Sequence, residues 1–217
     1  MADCVAHLWH FDGRAALAVT DPDAFVAQLG DEGRLAHASH ARAHALGGAL
    51  RDAWRDGARS SINAFTAADP SVRVPWYGPP MSLTSFVTAR LMETWAHGVD
   101  VTDALGIAPI ESDRLRHVAF IGWRARPFAY TNRGLAVPDG DVRIELTDPA
   151  VVLGESISDV VRGSALDFAL VATQRRHRDD TSLEIEGALA TEWMGIIQAF
   201  AGPPTDGRPP TGTVDAS

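Results

Sequence analysis

The feature that most constrains what this chain can fold into is a change of hydrophobic period partway along it. Up to about residue 105 the apolar residues recur near intervals of three and four, the repeat of an amphipathic helix. Further on, Val142-Arg143-Ile144-Glu145-Leu146 alternates with period two, as a half-buried strand does. An all-helical first half followed by a mixed second half is an α+β chain. The expected division is a helical bundle over residues 1–108 and a smaller α+β domain over 109–217, ending in a loose proline- and glycine-rich tail.

Local signals fill in the elements. Residues 3–19 are expected as helix, and Asp21-Pro22 starts another, with aspartate as the cap and proline at the first helical position. The helical pattern continues to residue 68, interrupted at Gly30-Asp31-Glu32-Gly33, and 69–80 is a proline-rich loop carrying Trp76 and Tyr77. Ser82 or Thr84 caps a helix that stops at Gly106. Beyond it come a helix over 112–130, strands over 142–146, 151–153 and 159–162, helices over 164–172 and 187–200, and the tail from 202. Val5, Ala6, Leu8 and Trp9 read as the middle of a helix already under way, so the bundle is expected to lack its first helix. A homodimer that lends the missing helix would complete it.

Composition narrows the function classes. With 46% apolar and 22% charged residues, the 217-residue chain can build a packed core. Its net charge of −9 argues against nucleic acid or an anionic membrane as partner. The single cysteine, Cys4, excludes an intramolecular disulfide framework and fits a reducing cytoplasm. No run approaches the roughly 18 apolar residues of a spanning helix, and the start lacks the basic-then-apolar pattern of a secretion signal.

The motif that carries chemistry is Arg90-Leu91-Met92-Glu93-Thr94-Trp95-Ala96-His97-Gly98-Val99-Asp100. Residues four apart share a helix face with Cβ atoms about 5–6 Å apart, so Glu93 and His97 can bind one ion together. His7 is the candidate third ligand, and His10, one turn on, could substitute for it. Helical bundles build metal sites this way, from side chains on facing helices. Asp100 suits an acceptor for an imidazole N–H better than a fourth ligand. The bland reading of the pair is a surface Glu–His contact, and of His7 a core histidine bonded to backbone. His37, His40 and His44 form a stripe without a matching carboxylate and read as a solvated face. Cys4 could approach the metal, although a lone cysteine in an apolar stretch is more often simply packed. Gln174-Arg175-Arg176-His177-Arg178 is the densest basic cluster, a solvated turn or a clamp for a carboxylate-bearing substrate.

Three segments also carry a resemblance: Val5-Ala6-His7-Leu8, Trp76-Tyr77-Gly78-Pro79-Pro80-Met81, and the motif extended back to Ala89. Together they resemble the mycothiol-dependent maleylpyruvate isomerase family, in an uncharacterised actinobacterial branch. Arg162-Gly163-Ser164-Ala165-Leu166-Asp167-Phe168 and Phe200-Ala201-Gly202-Pro203-Pro204 look like the C-terminal part of such members. The resemblance implies a DinB-like four-helix bundle, with zinc (or another divalent metal) held by His7, Glu93 and His97. It also implies mycothiol as thiol cosubstrate and an essential arginine at Arg175 or Arg176. The expected activity is cis–trans isomerisation, or thiol S-transfer, of a small electrophilic substrate. The alternative is a non-catalytic metal-binding module joined to a sterol-carrier-like domain for a small apolar ligand.

Overall fold

A computed structural model describes residues 1–212; the last five residues of the expected tail lie outside the described residues. The chain is α+β and divides into two compact units, Met1–Ala108 and Pro109 onward.

In the first unit, α1 (Ala2–Thr20) is the hub, and α2 (Pro22–Ala27), α3 (Glu32–Leu46), α4 (Leu50–Ala67) and α5 (Leu83–Leu105) all pack on it. The boundaries follow local chemistry. The Asp21 side chain accepts from the Ala24 amide at the start of α2, and the Ser82 side chain accepts from the Ser85 amide at the start of α5. Gly106, at φ 68°, ends α5 in the left-handed conformation glycine adopts without strain. One break escapes the periodicity: Gly47, at φ 52°, separates α3 from α4, where one continuous pattern had been expected. Within the 69–80 loop β1 (Arg73–Val74) forms a short antiparallel ladder with β2 (Met81–Ser82), just past the loop's end.

Two apolar clusters hold this unit. Ala15, Ala18, Phe25, Val74, Leu83 and Phe86 form one, lidded by Trp76, Tyr77 and Met81 from the loop. Phe25 and Trp76 stack with ring centroids 5.4 Å apart. Ala6, Ala43 and Leu50 form the other, with Trp9 against it. The polar link between helices is a buried ion pair: Arg90 Nη2 on α5 donates to Asp12 Oδ1 on α1 at 3.0 Å, with side chains only 9% and 10% exposed. Trp54 Nε1 on α4 donates to the other Asp12 oxygen, and the Ser61 hydroxyl donates to the Asp12 carbonyl.

The second unit contains α6 (Leu115–Arg124), α7 (Arg126–Thr131), β3 (Arg143–Thr147), β4 (Val151–Leu153), β5 (Val160–Ser164), α8 (Ala165–Ala172), β6 (Glu184–Glu186) and α9 (Ala188–Ile196). The sheet order is β4-β3-β5-β6, with β3 and β5 parallel and the outer pairs antiparallel. Ile144 and Leu146 point into the core between outward-facing neighbours, the alternation seen in sequence. The expected helix over 112–130 is two helices: Pro127 has no N–H to continue the ladder, and α6 ends before it. The last helix also stops early, at Ile196. Residues 197–200 leave it so that the Ala199 amide bonds the Ala172 carbonyl and the buried Gln198 amide bonds the carbonyls of Phe200 and Pro203. Among the described residues beyond 202 there is no helix or strand, yet Asn132 and Gln174 bond the carbonyls of Gly202 and Thr205. At Gly122 a Cβ would stand 2.9 Å from the Ala172 Cβ, so α6 approaches α8 where no side chain fits.

The Asp12–Arg90 pair yields a stability prediction. Asp12→Ala leaves a guanidinium buried and unpaired and should lower the unfolding free energy by about 3–5 kcal/mol. Urea titration beside wild type reads it; a loss below about 1 kcal/mol, the scale of a surface pair, would refute a structural role.

Candidate metal centre

Helices α1 and α5 run antiparallel, and their contacts form a ladder. Arg90 meets Asp12, Glu93 meets His7, and His97 and Asp100 lie opposite Cys4. On α5 the residues 90, 93, 97 and 100 follow the three–four repeat of one face. The same spacing puts Cys4 and His7 on one face of α1.

The structure brings His7, Glu93 and His97 together, with one donor atom from each within 4.8 Å of the others. His7 Nε2 lies 3.9 Å from Glu93 Oε2, and His97 Nε2 lies 3.7 Å from the same oxygen. Tetrahedral zinc with bonds near 2.0–2.2 Å has donor–donor edges of about 3.3–3.6 Å, so the two edges to Glu93 need to close by only a few tenths of an ångström to hold an ion. The two imidazole rings have centroids 4.5 Å apart, and Phe11 packs on His7 at 4.6 Å. All three side chains are partly exposed, which leaves an edge open to solvent.

Electrostatics favour the liganding form of the carboxylate. Burial alone would raise the Glu93 carboxyl, but the facing His7 imidazole together with Arg90 and His97 outweighs it and holds the group below its ordinary value. On the far side of His97, Nδ1 lies 3.1 Å from Asp100 Oδ2. With Nδ1–H donated there, Nε2 keeps its lone pair toward Glu93, the orientation a metal-binding histidine needs.

His10 does not substitute for His7. It is buried, 2.7 Å from Glu32 Oε1 through Nε2 and 2.9 Å from the Ser39 hydroxyl through Nδ1. This network is larger than the sequence suggests. The Tyr77 hydroxyl donates to the other Glu32 oxygen, Arg14 Nε donates to the Tyr77 oxygen at 3.0 Å, and Arg14 Nη1 reaches Gln28 Oε1 at 2.6 Å. Burial first, and the Glu32 contact second, push the Tyr77 hydroxyl well above its ordinary value, so it stays a proton donor. Glu32 is the first residue of α3, in the glycine-flanked stretch 30–33, where no periodicity announces a partner for His10.

Arg175 and Arg176 lie in the second unit, just past the end of α8. Their amides share the Leu170 carbonyl, and Gln174 before them has φ 58°. Arg175 Nη1 donates to the Thr173 carbonyl. Arg176 lines a cleft of about 160 Å³ within this unit, with Gln174, His177, Arg178 and Arg208. Of the histidine stripe, His37 and His44 are exposed and His40 is half-buried, and His44 meets Asp3 at 3.0 Å.

Comparison with known proteins then places the chain. The model of the mycothiol maleylpyruvate isomerase N-terminal domain matches residues 1–102, the segment that holds His7, Glu93 and His97. Two curated relatives, uncharacterised proteins of Mycobacterium tuberculosis strains CDC 1551 / Oshkosh and H37Rv, are each 38% identical over 221 residues. Each alignment covers 96% of this chain and 84% of the relative. The chain belongs to the mycothiol maleylpyruvate isomerase N-terminal domain family. No solved structure matches it. Among the described residues no helix is long and apolar enough to cross a membrane.

Two outcomes follow from the geometry. Elemental analysis should find about one divalent ion per chain in wild type and none in His97→Ala, while Asp100→Asn weakens metal affinity by about 10–100-fold. In chelator-treated protein, Glu93 contributes stability that is present above the ordinary carboxylate pKa of about 4.3 and lost as pH falls through its lower folded value. Acid titration followed by circular dichroism should therefore show a smaller acid-side loss in Glu93→Gln than in wild type; equal losses would contradict the depressed carboxyl.

Proposed function

We propose that this protein is a zinc-dependent enzyme that uses mycothiol, a low-molecular-weight thiol, as nucleophile on a small electrophilic substrate in the cytoplasm. One observation carries the reading: in a chain of this family, His7, Glu93 and His97 present three donor atoms to a single point. A divalent ion bound there supplies the positive charge that holds a thiol sulfur as its reactive thiolate at neutral pH.

The chain's own residues do the rest. Two imidazole nitrogens and one carboxylate oxygen leave a coordination position open, as in catalytic zinc sites. Asp100 holds the His97 tautomer, and Phe11 shields one side of His7 from water. The thiolate adds to one carbon of an activated cis double bond, forming a C–S bond and an enolate. The remaining single bond rotates. The C–S bond then breaks, the double bond re-forms as trans, and the thiol is returned, with no net oxidation. Addition without that last step, with the enolate carbon taking up the proton that the thiol gave up, is thiol S-transfer. Arg175 and Arg176 are the proposed partners for a substrate carboxylate or the developing enolate. Arg176 comes first because it lines the cleft.

Turnover of a cis-enone carboxylate such as maleylpyruvate should require both mycothiol and metal. Glu93→Ala should abolish it together with metal binding. Arg176→Ala should lower kcat/KM by about 10²–10³ while metal content stays at the wild-type level. Thiol-dependent turnover that persists in metal-free Glu93→Ala would defeat the proposal. Binding of a small apolar ligand without any turnover would favour the non-catalytic module.

A further inference from the structure

The geometry points to a second cation site, built from Cys4, His97 and Asp100, that shares His97 with the first and takes a thiophilic ion. One donor atom from each of these residues lies within 4.8 Å of the others, the same span as the first cluster. The donors come from both facing helices. Stepping back one turn from His7 along α1 reaches Cys4, and stepping forward one turn from His97 along α5 reaches Asp100. The second site is therefore the next rung of the same antiparallel ladder. All three residues are partly buried, which leaves the cluster open enough for an ion to enter.

The two rungs differ in chemistry. The first offers two nitrogens and an oxygen, a set suited to borderline ions. The second replaces one nitrogen by a thiolate, and soft donors select soft ions such as Cd²⁺ and Cu⁺. A neutral imidazole has one lone pair, with the proton on its other nitrogen. His97 Nε2 faces Glu93 at 3.7 Å and Nδ1 faces Asp100 at 3.1 Å. With the proton on Nδ1 the ring serves the first site; with the proton on Nε2 it serves the second. The sites are alternatives, and a thiophilic ion beside Cys4 withdraws His97 from His7 and Glu93. This assignment stands on the donors alone and does not depend on the thiol chemistry proposed above.

The test is a cadmium titration of chelator-treated, full-length protein, followed by ultraviolet thiolate-to-metal charge-transfer absorption. Cys4 is the chain's single cysteine, so the band reports one sulfur. The band should grow to an end point of about one ion per chain and be absent in Cys4→Ser. Cys4→Ser should still take up zinc as wild type does. Asp100→Asn, nearly isosteric, should weaken cadmium binding at least tenfold, about the least that losing a partner of a bound metal costs. Zinc loaded first should shift the cadmium midpoint upward. Four results would each overturn the proposal: no band in wild type; an unchanged midpoint in Asp100→Asn, which means a lone thiolate; a midpoint indifferent to zinc, which means independent sites; or an intensity per chain that falls on dilution, which means an ion held between two copies.

Discussion

The first unit depends on one buried charge pair. Asp12 and Arg90 have left water at a cost of several kcal/mol each, and their attraction offsets that cost only with the help of further partners on the Asp12 side. Trp54 and Ser61 complete the Asp12 side of the arrangement. Three helices, α1, α4 and α5, are thereby bound at one level. Apolar packing alone would tolerate a slide of α5 along α1 at small cost, since alanine and valine contacts are nearly interchangeable. The charge pair does not tolerate it, because a slide of one turn strands both charges. With Asp12 pinned against Arg90, residues one turn further toward the other end of the bundle meet in a determined order. His7 falls opposite Glu93, and Cys4 falls opposite His97 and Asp100. The position of the His7–Glu93–His97 cluster is thus a consequence of a contact that lies outside it.

Much of this was legible in the residues. Caps and stops such as Asp21-Pro22, Ser82 and Gly106 act through bonds to neighbours two to five positions away, so the helix ends they mark can be read locally. Glu93 and His97 were legible for the same reason, since four-residue spacing on a helix is itself a distance. His7 needed the resemblance as well as the spacing, because nothing local separates it from His10. The structure separates them by partner: His10 is taken up by Glu32 and Ser39.

What stayed hidden is non-local. The Glu32–Tyr77–Arg14 contacts join residues up to 63 positions apart, and no period encodes such a meeting. The strand at 184–186 is too short for alternation to stand out, and its place is set by pairing with β5. The early end of α9 has the same origin. Helical pattern favours continuation to residue 200, but the Ala199 amide and the Gln198 side chain find partners at the end of α8 and in the chain that follows. Satisfying a buried amide outweighs the few tenths of a kcal/mol per residue that helix propensity contributes.

The tether of Tyr77 bears on how a ligand reaches the cluster. The tyrosine hydroxyl is fixed from two sides, by a carboxylate at the start of α3 and a guanidinium from α1, while its ring lies 5.9 Å from Phe11. Long loops of this kind often serve as lids that swing over a bound molecule. This one is fastened shut at its aromatic end by charge-assisted hydrogen bonds, which are stronger than neutral ones. Phe11 therefore has a stiff backing, and the wall beside His7 keeps its contour whether or not anything is bound. A molecule bound on that side would meet a shape already in place, like a template, and not a door that closes behind it.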